Sequence, residues 1–261
     1  MILIIFIIFA LNNNLKVRYY EIESNKIRDR VRIALVADLH SCHYGDVQTE
    51  LLDCIDAQQP DIILLGGDIV DDKLPYEYAV VVLKALAEKY PCYYVSGNHE
   101  YWSGKIDEIK QMILGYDITI LEGQSEAVSI NGQPLTICGV DDAEIGEENF
   151  KKQIIRAESQ TDPDLFTIFL AHRPEYIDTY LQYEFDLILS GHAHGGQWRI
   201  PGILNGLLAP NQGFFPKYAG GKYDFKHETF IVSRGLAKES TRIFRIFNPP
   251  ELVIVDIVPA N

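Results

Sequence analysis

The sequence predicts a mixed α/β domain in which helices pack outside two facing β-sheets. Three observations carry this reading. From Val31, apolar runs of strand length alternate with stretches of helical spacing as far as Leu114. Beyond Gly115, short strands separated by turn signals take over. No linker-like, repetitive or low-complexity tract divides the two halves. The economical division of the 261 residues is one domain over residues 31–258, preceded by an apolar segment over residues 1–15.

The elements follow in order. Val31 to Ala37 (VRIALVA) is almost continuously apolar, as expected of a strand covered on both faces. Asp46 to Ala57 has apolar residues at Val47, Leu51, Leu52 and Ile55, a helical spacing. Asp61 to Leu65 reads as the next buried strand and Tyr78 to Glu88 as the next helix; Tyr93 to Val95 and Ile106 to Leu114 repeat the pair. Ile118 to Leu121, Ala127 to Ile130 and Leu135 to Val140 are short strands, the last two joined by a hairpin turn at Asn131-Gly132. A helix over Glu147 to Glu158 is followed by strands at Leu165 to Ala171 and Phe185 to Leu189. Three more strand candidates close the chain: Thr229 to Ser233, Arg242 to Phe247 and Leu252 to Val258.

The N-terminal run Met1 to Leu11 (MILIIFIIFAL) is shorter than the roughly 20 apolar residues of a spanning helix. It lacks the basic region and small-residue cleavage site of a signal peptide. A membrane anchor and a strand packed on the domain both fit, and Asn12, Asn13 and Asn14 suit a chain leaving an apolar phase. Lys16 and Arg18 beyond it would keep the following domain on the cytoplasmic side.

Composition narrows the function. The formal net charge of −14 and the lack of a basic stripe disfavour a general nucleic-acid binder. They leave a phosphate substrate open, because bound cations reverse the local charge. Cys42, Cys54, Cys92 and Cys138 form no C-x-x-C pair and read as reduced thiols.

The informative residues stand where the buried strands end: Asp38-Leu39-His40, Gly66-Gly67-Asp68, Gly97-Asn98-His99-Glu100, His172-Arg173, and Gly191-His192-Ala193-His194. Sites in open α/β sheets form at the carboxyl ends of the strands, so these clusters can meet. Six of the seven histidines lie in or beside them, and only His227 falls clearly outside. A lone buried histidine is usually a hydrogen-bonded core residue. Five such clusters are not explained that way. Carboxylate, amide oxygen and imidazole suit divalent Mn, Fe or Zn. In Asp38-x-His40 and His192-x-His194, an extended backbone would aim both side chains the same way. Glycines at 66, 67, 97 and 191 would turn the chain and keep Cβ atoms out of the cavity. Two cations about 3.5–4 Å apart would clamp a phosphoryl group and activate water, with Asp68 the candidate bridge between them.

The order D-x-H, GD, GNHE, H, GHxH resembles the calcineurin-like metallophosphoesterases over residues 31–258. The resemblance implies a four-layer αββα sandwich. It implies one metal on Asp38, His40, Asp68 and His194, and a second on Asp68, Asn98, His172 and His192. It also implies His99 beside the leaving group as proton donor or electrostatic stabiliser. The protein serine/threonine phosphatases of the superfamily carry an arginine where this chain has Ser96. Gly191 to Pro201 looks instead like a prokaryotic, often membrane-associated branch of phosphodiesterases, related to UDP-2,3-diacylglucosamine hydrolases of lipid A synthesis. A phosphodiester or pyrophosphate bond, as in a lipid-linked or nucleotide-sugar substrate, is the expected target. A nuclease or nucleotide phosphodiesterase and a non-catalytic metal-dependent scaffold are the rivals, the latter having no use for His99.

Other residues have two readings. Arg173 could hold a phosphate oxygen or form an ion pair. Gln197 and Arg199 could line the pocket mouth. His43 reads as a loop residue, Tyr101 and Trp102 as packing, and the irregular stretch from Gly202 to Gly221 as a lid or substrate loop.

Overall fold

The structure is a computed structural model describing residue 7, residues 9–238 and residues 243–260. The apolar runs become the interior strands. In the first sheet these are β2 (Val31–Val36), β3 (Ile62–Gly66) and β4 (Cys92–Val95), with the two-residue β5 (Thr119–Ile120) at the edge. They pair parallel in that order. β14 (Glu251–Pro259) lies antiparallel to β2, and β1 (Lys16–Ser24) runs parallel to β14 at the edge. The second six-stranded sheet has the order β12 (Gly221–Asp224), β13 (Thr229–Val232), β9 (Leu187–Ser190), β8 (Phe166–Leu170), β7 (Gln133–Gly139), β6 (Gln124–Ile130).

Period-two alternation splits each central strand between two cores. Ile33 and Leu35 of β2 face the second sheet, meeting Ile137, Ile168, Leu170 and Leu189 in a dry layer. Ala34 and Val36 face outward with Leu51 and Ile55 of α1 (Thr49–Asp56), Val82 and Leu83 of α2 (Glu77–Ala87), and Ile109 of α4 (Ile106–Leu114). On the far side, Phe169, Ile188 and Phe230 pack against Phe150 and Ile154 of α5 (Glu147–Glu158). The layers run helix, sheet, sheet, helix, as the resemblance implied.

The Asn131-Gly132 turn joins β6 and β7 with both residues at positive φ (52° and 85°), the geometry that makes this dipeptide a hairpin signal. Several elements differ from the sequence reading. β1 precedes the expected start at Val31, and Lys16 and Arg18, read as flanking charges, are strand residues. The candidate strand Arg242 to Phe247 does not form over its described part. There only Ile246 makes a bridge, with Trp198, because the segment is spent closing the turn after β9. The short helices α3 (Asn98–Trp102) and α6 (Ile177–Tyr180) were not anticipated. Nor was the hairpin of β10 (Leu208–Ala209) and β11 (Gly213–Phe214) in the irregular stretch. Residues 1–6 and 8 of the apolar run lie outside the described residues. Among those described, no helix is long and apolar enough to cross a membrane.

Candidate metal centre

All seven residues proposed from the sequence as ligands lie at strand ends on one side of the sandwich. Asp38 and His40 follow β2, Asp68 follows β3, and Asn98 opens α3 directly after β4. His172 follows β8, and His192 and His194 follow β9. Ligand atoms of Asp38, His40, Asp68 and His194 lie within 4.8 Å of one another, as do those of Asp68, His172 and His192. Asp68 is common to both groups.

The donors converge by strain. Asp38, His40, Asp68, His192 and His194 all have φ between 46° and 64°, in the left-handed region. Non-glycine residues cluster there at functional sites, where the surrounding structure must offset the cost. This corrects the sequence reasoning, in which an extended backbone aimed the i and i+2 side chains together. Close approach explains two glycines. A Cβ on Gly67 (φ +86°) would lie 2.6 Å from His172 Nδ1, and one on Gly97 would lie 2.2 Å from Asp68 Oδ1.

A second ring of groups orients the first. His40 Nδ1 is 3.0 Å from Asp71 Oδ2, and His172 Nδ1 is 2.8 Å from the Gly66 carbonyl. With Nδ1 donating in each case, both Nε2 lone pairs are left for the cluster. Glu100, fully buried, accepts from the backbone N–H groups of Asp68, Ile69, Val70 and Gly97 at 2.7–3.0 Å, tying the β3 loop to the start of α3. His99 donates its backbone N–H to Asp68 Oδ1 (2.8 Å), and its Nδ1 lies 2.7 Å from Asp72 Oδ1. These supports were not assigned from the sequence. Only Glu100 carried a signal, standing at the third helical position after the Gly97 cap, as in a capping box.

The fit to cations rests on unpaired atoms. His40 Nε2, Asp68 Oδ2, Asn98 Oδ1, His172 Nε2 and His194 Nδ1 are buried with no hydrogen-bond partner. Buried polar atoms are nearly always paired, so these five orphans, four of them on side chains whose ligand atoms gather around Asp68, mark a place for positive charge. His172 Nε2 and Asp68 Oδ2 stand 3.1 Å apart, two lone pairs facing each other unless a proton or a cation lies between. The protonation preferences say the same. Burial opposes a charged His172, yet Asp68 outweighs it and raises His172 to about 10. Burial, with the His172 charge next, pushes His192 down to about 3. Burial, opposed by His172 and reinforced by Asp68, lifts Asp38 to about 6. Of these three, His172 alone favours its proton at neutral pH, where a bound cation would displace it.

The remaining candidates fall elsewhere. The Arg173 fork is taken by Asp142 (2.8–3.0 Å) and Glu144 (2.6 Å), so it forms the ion pair rather than presenting itself to phosphate. Arg199 donates to the Asn205 carbonyl and sits among Arg234, Glu251 and Arg18, outside the cluster. Gln197 is buried in the turn after His194 with Oε1 unpaired. His43 lies against Tyr78 at 4.8 Å. Ser96 donates to Asp141 Oδ1 and accepts the Asp142 N–H. Asn211, at the tip of the β10–β11 hairpin, brings Oδ1 to 3.0 Å from His192 Nε2. It lies within the stretch read as a lid or substrate loop.

Two buried His/Asp groups that share one carboxylate could thus hold metal ions, and the family match agrees. Residues 31–196 match the calcineurin-like phosphoesterase family, and the chain belongs to it. It is 32% identical over 252 residues to an uncharacterized metallophosphoesterase of Helicobacter pylori J99, covering 94% of this chain and 65% of that protein. This chain thus spans just under two thirds of that relative. It is 28% identical over 234 residues to the phosphodiesterase YaeI of Escherichia coli K12, covering 87% of this chain and 82% of YaeI. The crystal structure of TT1561 from Thermus thermophilus shares the fold at 13% identity and a TM-score of 0.51, covering 80% of this chain and 92% of that one.

Proposed function

We propose that the chain hydrolyses a phosphodiester or pyrophosphate bond at a pair of divalent cations. One would be held by Asp38, His40, Asp68 and His194, the other by Asp68, Asn98, His172 and His192. The observation that carries this is the convergence of buried, unpaired donor atoms on Asp68. When bound, two such cations supply Lewis acidity toward phosphoryl oxygens and make water nucleophilic at neutral pH.

The chain's own residues then have distinct tasks. Asp68, the only carboxylate shared by both groups among the described residues, would help to hold both cations. Asp71 and the Gly66 carbonyl fix the tautomers of His40 and His172, so that nitrogen lone pairs face the cluster. Asp72 accepts from His99 Nδ1, so it is the imidazolium form, with its second proton on Nε2, that can give a proton to the departing oxygen. Burial lowers the His99 pKa, so its proton is lost readily to a developing alkoxide. No covalent phosphoenzyme is required.

Imidazole, carboxylate and amide donors without thiolate favour Mn, Fe or Zn. The likeness to a phosphodiesterase supports a diester substrate. A lipid-linked or nucleotide-sugar phosphate is the finer part of the proposal. The test is hydrolysis of bis-p-nitrophenyl phosphate with Mn²⁺, alongside metal analysis of the same preparation. Asp68→Ala and Asn98→Ala are expected to lose about a thousandfold or more of kcat, with fewer bound ions. Near-normal turnover by a folded Asp68→Ala protein removes the bridging assignment.

A further inference from the structure

The ring of groups behind the proposed ligands is uneven. His40 and His172 are both held through Nδ1, by Asp71 and the Gly66 carbonyl, which lie at the end of β3 or just beyond it. His192 is held through its other nitrogen, and from a different part of the chain. Its Nε2 lies 3.0 Å from Asn211 Oδ1, at the tip of the β10–β11 hairpin.

That hairpin is fixed at both ends. At its foot, Gly196 and Gly206 pass so closely that a Cβ on Gly196 (φ +63°) would stand 2.5 Å from Gly206 Cα. A Cβ on Gly206 would stand 2.7 Å from Ala219 Cβ. The Leu207 N–H is shared between the Gly196 and Trp198 carbonyls at 2.9 Å each, and the Leu207 carbonyl accepts the Phe215 N–H at 2.8 Å. At the tip, Gln212 is tied in both directions to Tyr218. Its Nε2 donates to the Tyr218 carbonyl at 3.1 Å, and its Oε1 accepts the Tyr218 N–H at 3.0 Å. Asn211 itself has φ of 58°, a conformation that asparagine adopts more readily than most residues with a side chain. An exposed amide is thus presented in one place, against a buried imidazole.

One carboxylate stands near the same nitrogen and does not make the bond. Glu175 Oε1 is 3.9 Å from His192 Nε2 and 3.9 Å from Arg173 Nη1, beyond hydrogen-bond reach of either. The amide is therefore the acceptor that decides where the imidazole proton sits. A neutral imidazole has one N–H and one lone pair. With the proton drawn to Nε2, the lone pair falls on Nδ1, the nitrogen left to meet a cation.

We infer that Asn211 is a positioning residue of the metal centre: the β10–β11 hairpin delivers its amide to His192 Nε2–H and so selects the tautomer whose Nδ1 can ligate. The consequence for metal rests on the two-cation reading above; the tautomer does not. The cation assigned to Asp68, Asn98, His172 and His192 then depends on the irregular stretch between β9 and β12, and the other cation does not.

The experiment has two arms, both on the full chain. In the first, long-range proton–nitrogen NMR spectra of the metal-free, ¹⁵N-histidine-labelled protein read which ring nitrogen carries the proton, with His192→Gln assigning the signal. His192 should carry it on Nε2 in wild type and in Asn211→Asp, and should lose that single tautomer in Asn211→Ala. In the second, Mn²⁺ alone is titrated and the free ion counted by electron paramagnetic resonance. Asn211→Ala should weaken one of two ions about 10- to 100-fold and leave the other within about twofold, and Asn211→Asp should restore the weakened one. A wild-type proton on Nδ1 overturns the inference, since the amide would then be donating to Nε2. Both ions weakened alike by Asn211→Ala, neither weakened, or no rescue by Asn211→Asp would also overturn it, leaving the hairpin a structural part only. If wild type takes up no Mn²⁺, the two-cation reading falls by itself, and the NMR arm still decides whether Asn211 holds His192.

Discussion

The two sheets contribute different chemistry to one site. The first brings every carboxylate among the proposed ligands, Asp38 and Asp68, together with Asn98 and His40; the second brings only imidazoles, His172, His192 and His194. The two are also held differently. The loops of the first sheet are clamped by the buried Glu100 carboxylate, which accepts four backbone N–H groups. The turn of the second is held by Asn248, whose Nδ2 donates to the His194 and Gln197 carbonyls at 2.7 and 3.2 Å. Each ligand group draws on both sheets, so neither is complete in one layer. Cations here would therefore fasten one sheet to the other, as well as serving catalysis.

If that is right, the largest effect should follow removal of both ions. For metal at a thousandfold above its Kd, the lost linkage is about 4 kcal/mol per ion, about 8 kcal/mol for the pair, read as a fall in Tm when EDTA is added to the loaded protein. A Tm indifferent to EDTA would break the idea that the ions join the sheets. Next comes Glu100→Ala, which strands four buried N–H groups and is expected to cost about 3 kcal/mol in urea unfolding. Glu100→Gln keeps one acceptor oxygen and should fall between. If Glu100→Ala unfolds at the wild-type urea midpoint, the clamp is incidental.

The two imidazoles oriented through Nδ1 sharpen the contrast. His172 leans on a main-chain carbonyl, which substitution cannot remove, whereas His40 leans on the Asp71 side chain. Asp71 Oδ1 separately accepts the Lys73 and Leu74 N–H groups, which an asparagine can still satisfy. Asp71→Asn should therefore weaken one of the two cations by about 10- to 100-fold and leave the other near wild type. Metal titration that shows both ions weakened alike would contradict the division of ligands.

The same contrast governs what could be read from the chain. The ligands were legible because each follows directly on an apolar run, and those near-continuous runs alone announced β2, β3 and β8 as buried strands. β1 was not legible. Most of its residues are exposed and only Ile22 is buried, so KVRYYEIES shows no apolar stripe, and its place beside β14 is decided by pairing across more than two hundred residues. The left-handed backbone at Asp38, His40, Asp68, His192 and His194 was also invisible, since no local propensity selects it for these residue types and the packed loops impose it. Asp71, Asp72 and Asn211 gain their roles only when distant segments meet. Arg173 shows the reverse case: its type and neighbour suggested phosphate, and two nearby acids had already claimed it.

The smallest predicted effect belongs to the second sheet. Asn248 is fully buried, yet only its Nδ2 is engaged; Oδ1 has no hydrogen-bond partner. Asn248→Ala thus loses two donated bonds to carbonyls, each of which has a second lone pair and is less costly to leave partly satisfied than an N–H. The expected cost is about 1 kcal/mol, well below that of Glu100→Ala. Because Asn248 spans the turn that carries His194, the loss should also appear at the cation that His194 would hold, as a modestly raised metal Kd. The other cation, with His172 and His192, should be little affected. An Asn248→Ala protein as destabilised as Glu100→Ala would mean that the amide and the carboxylate are equivalent clamps, and that the asymmetry between the sheets lies in ligand chemistry alone.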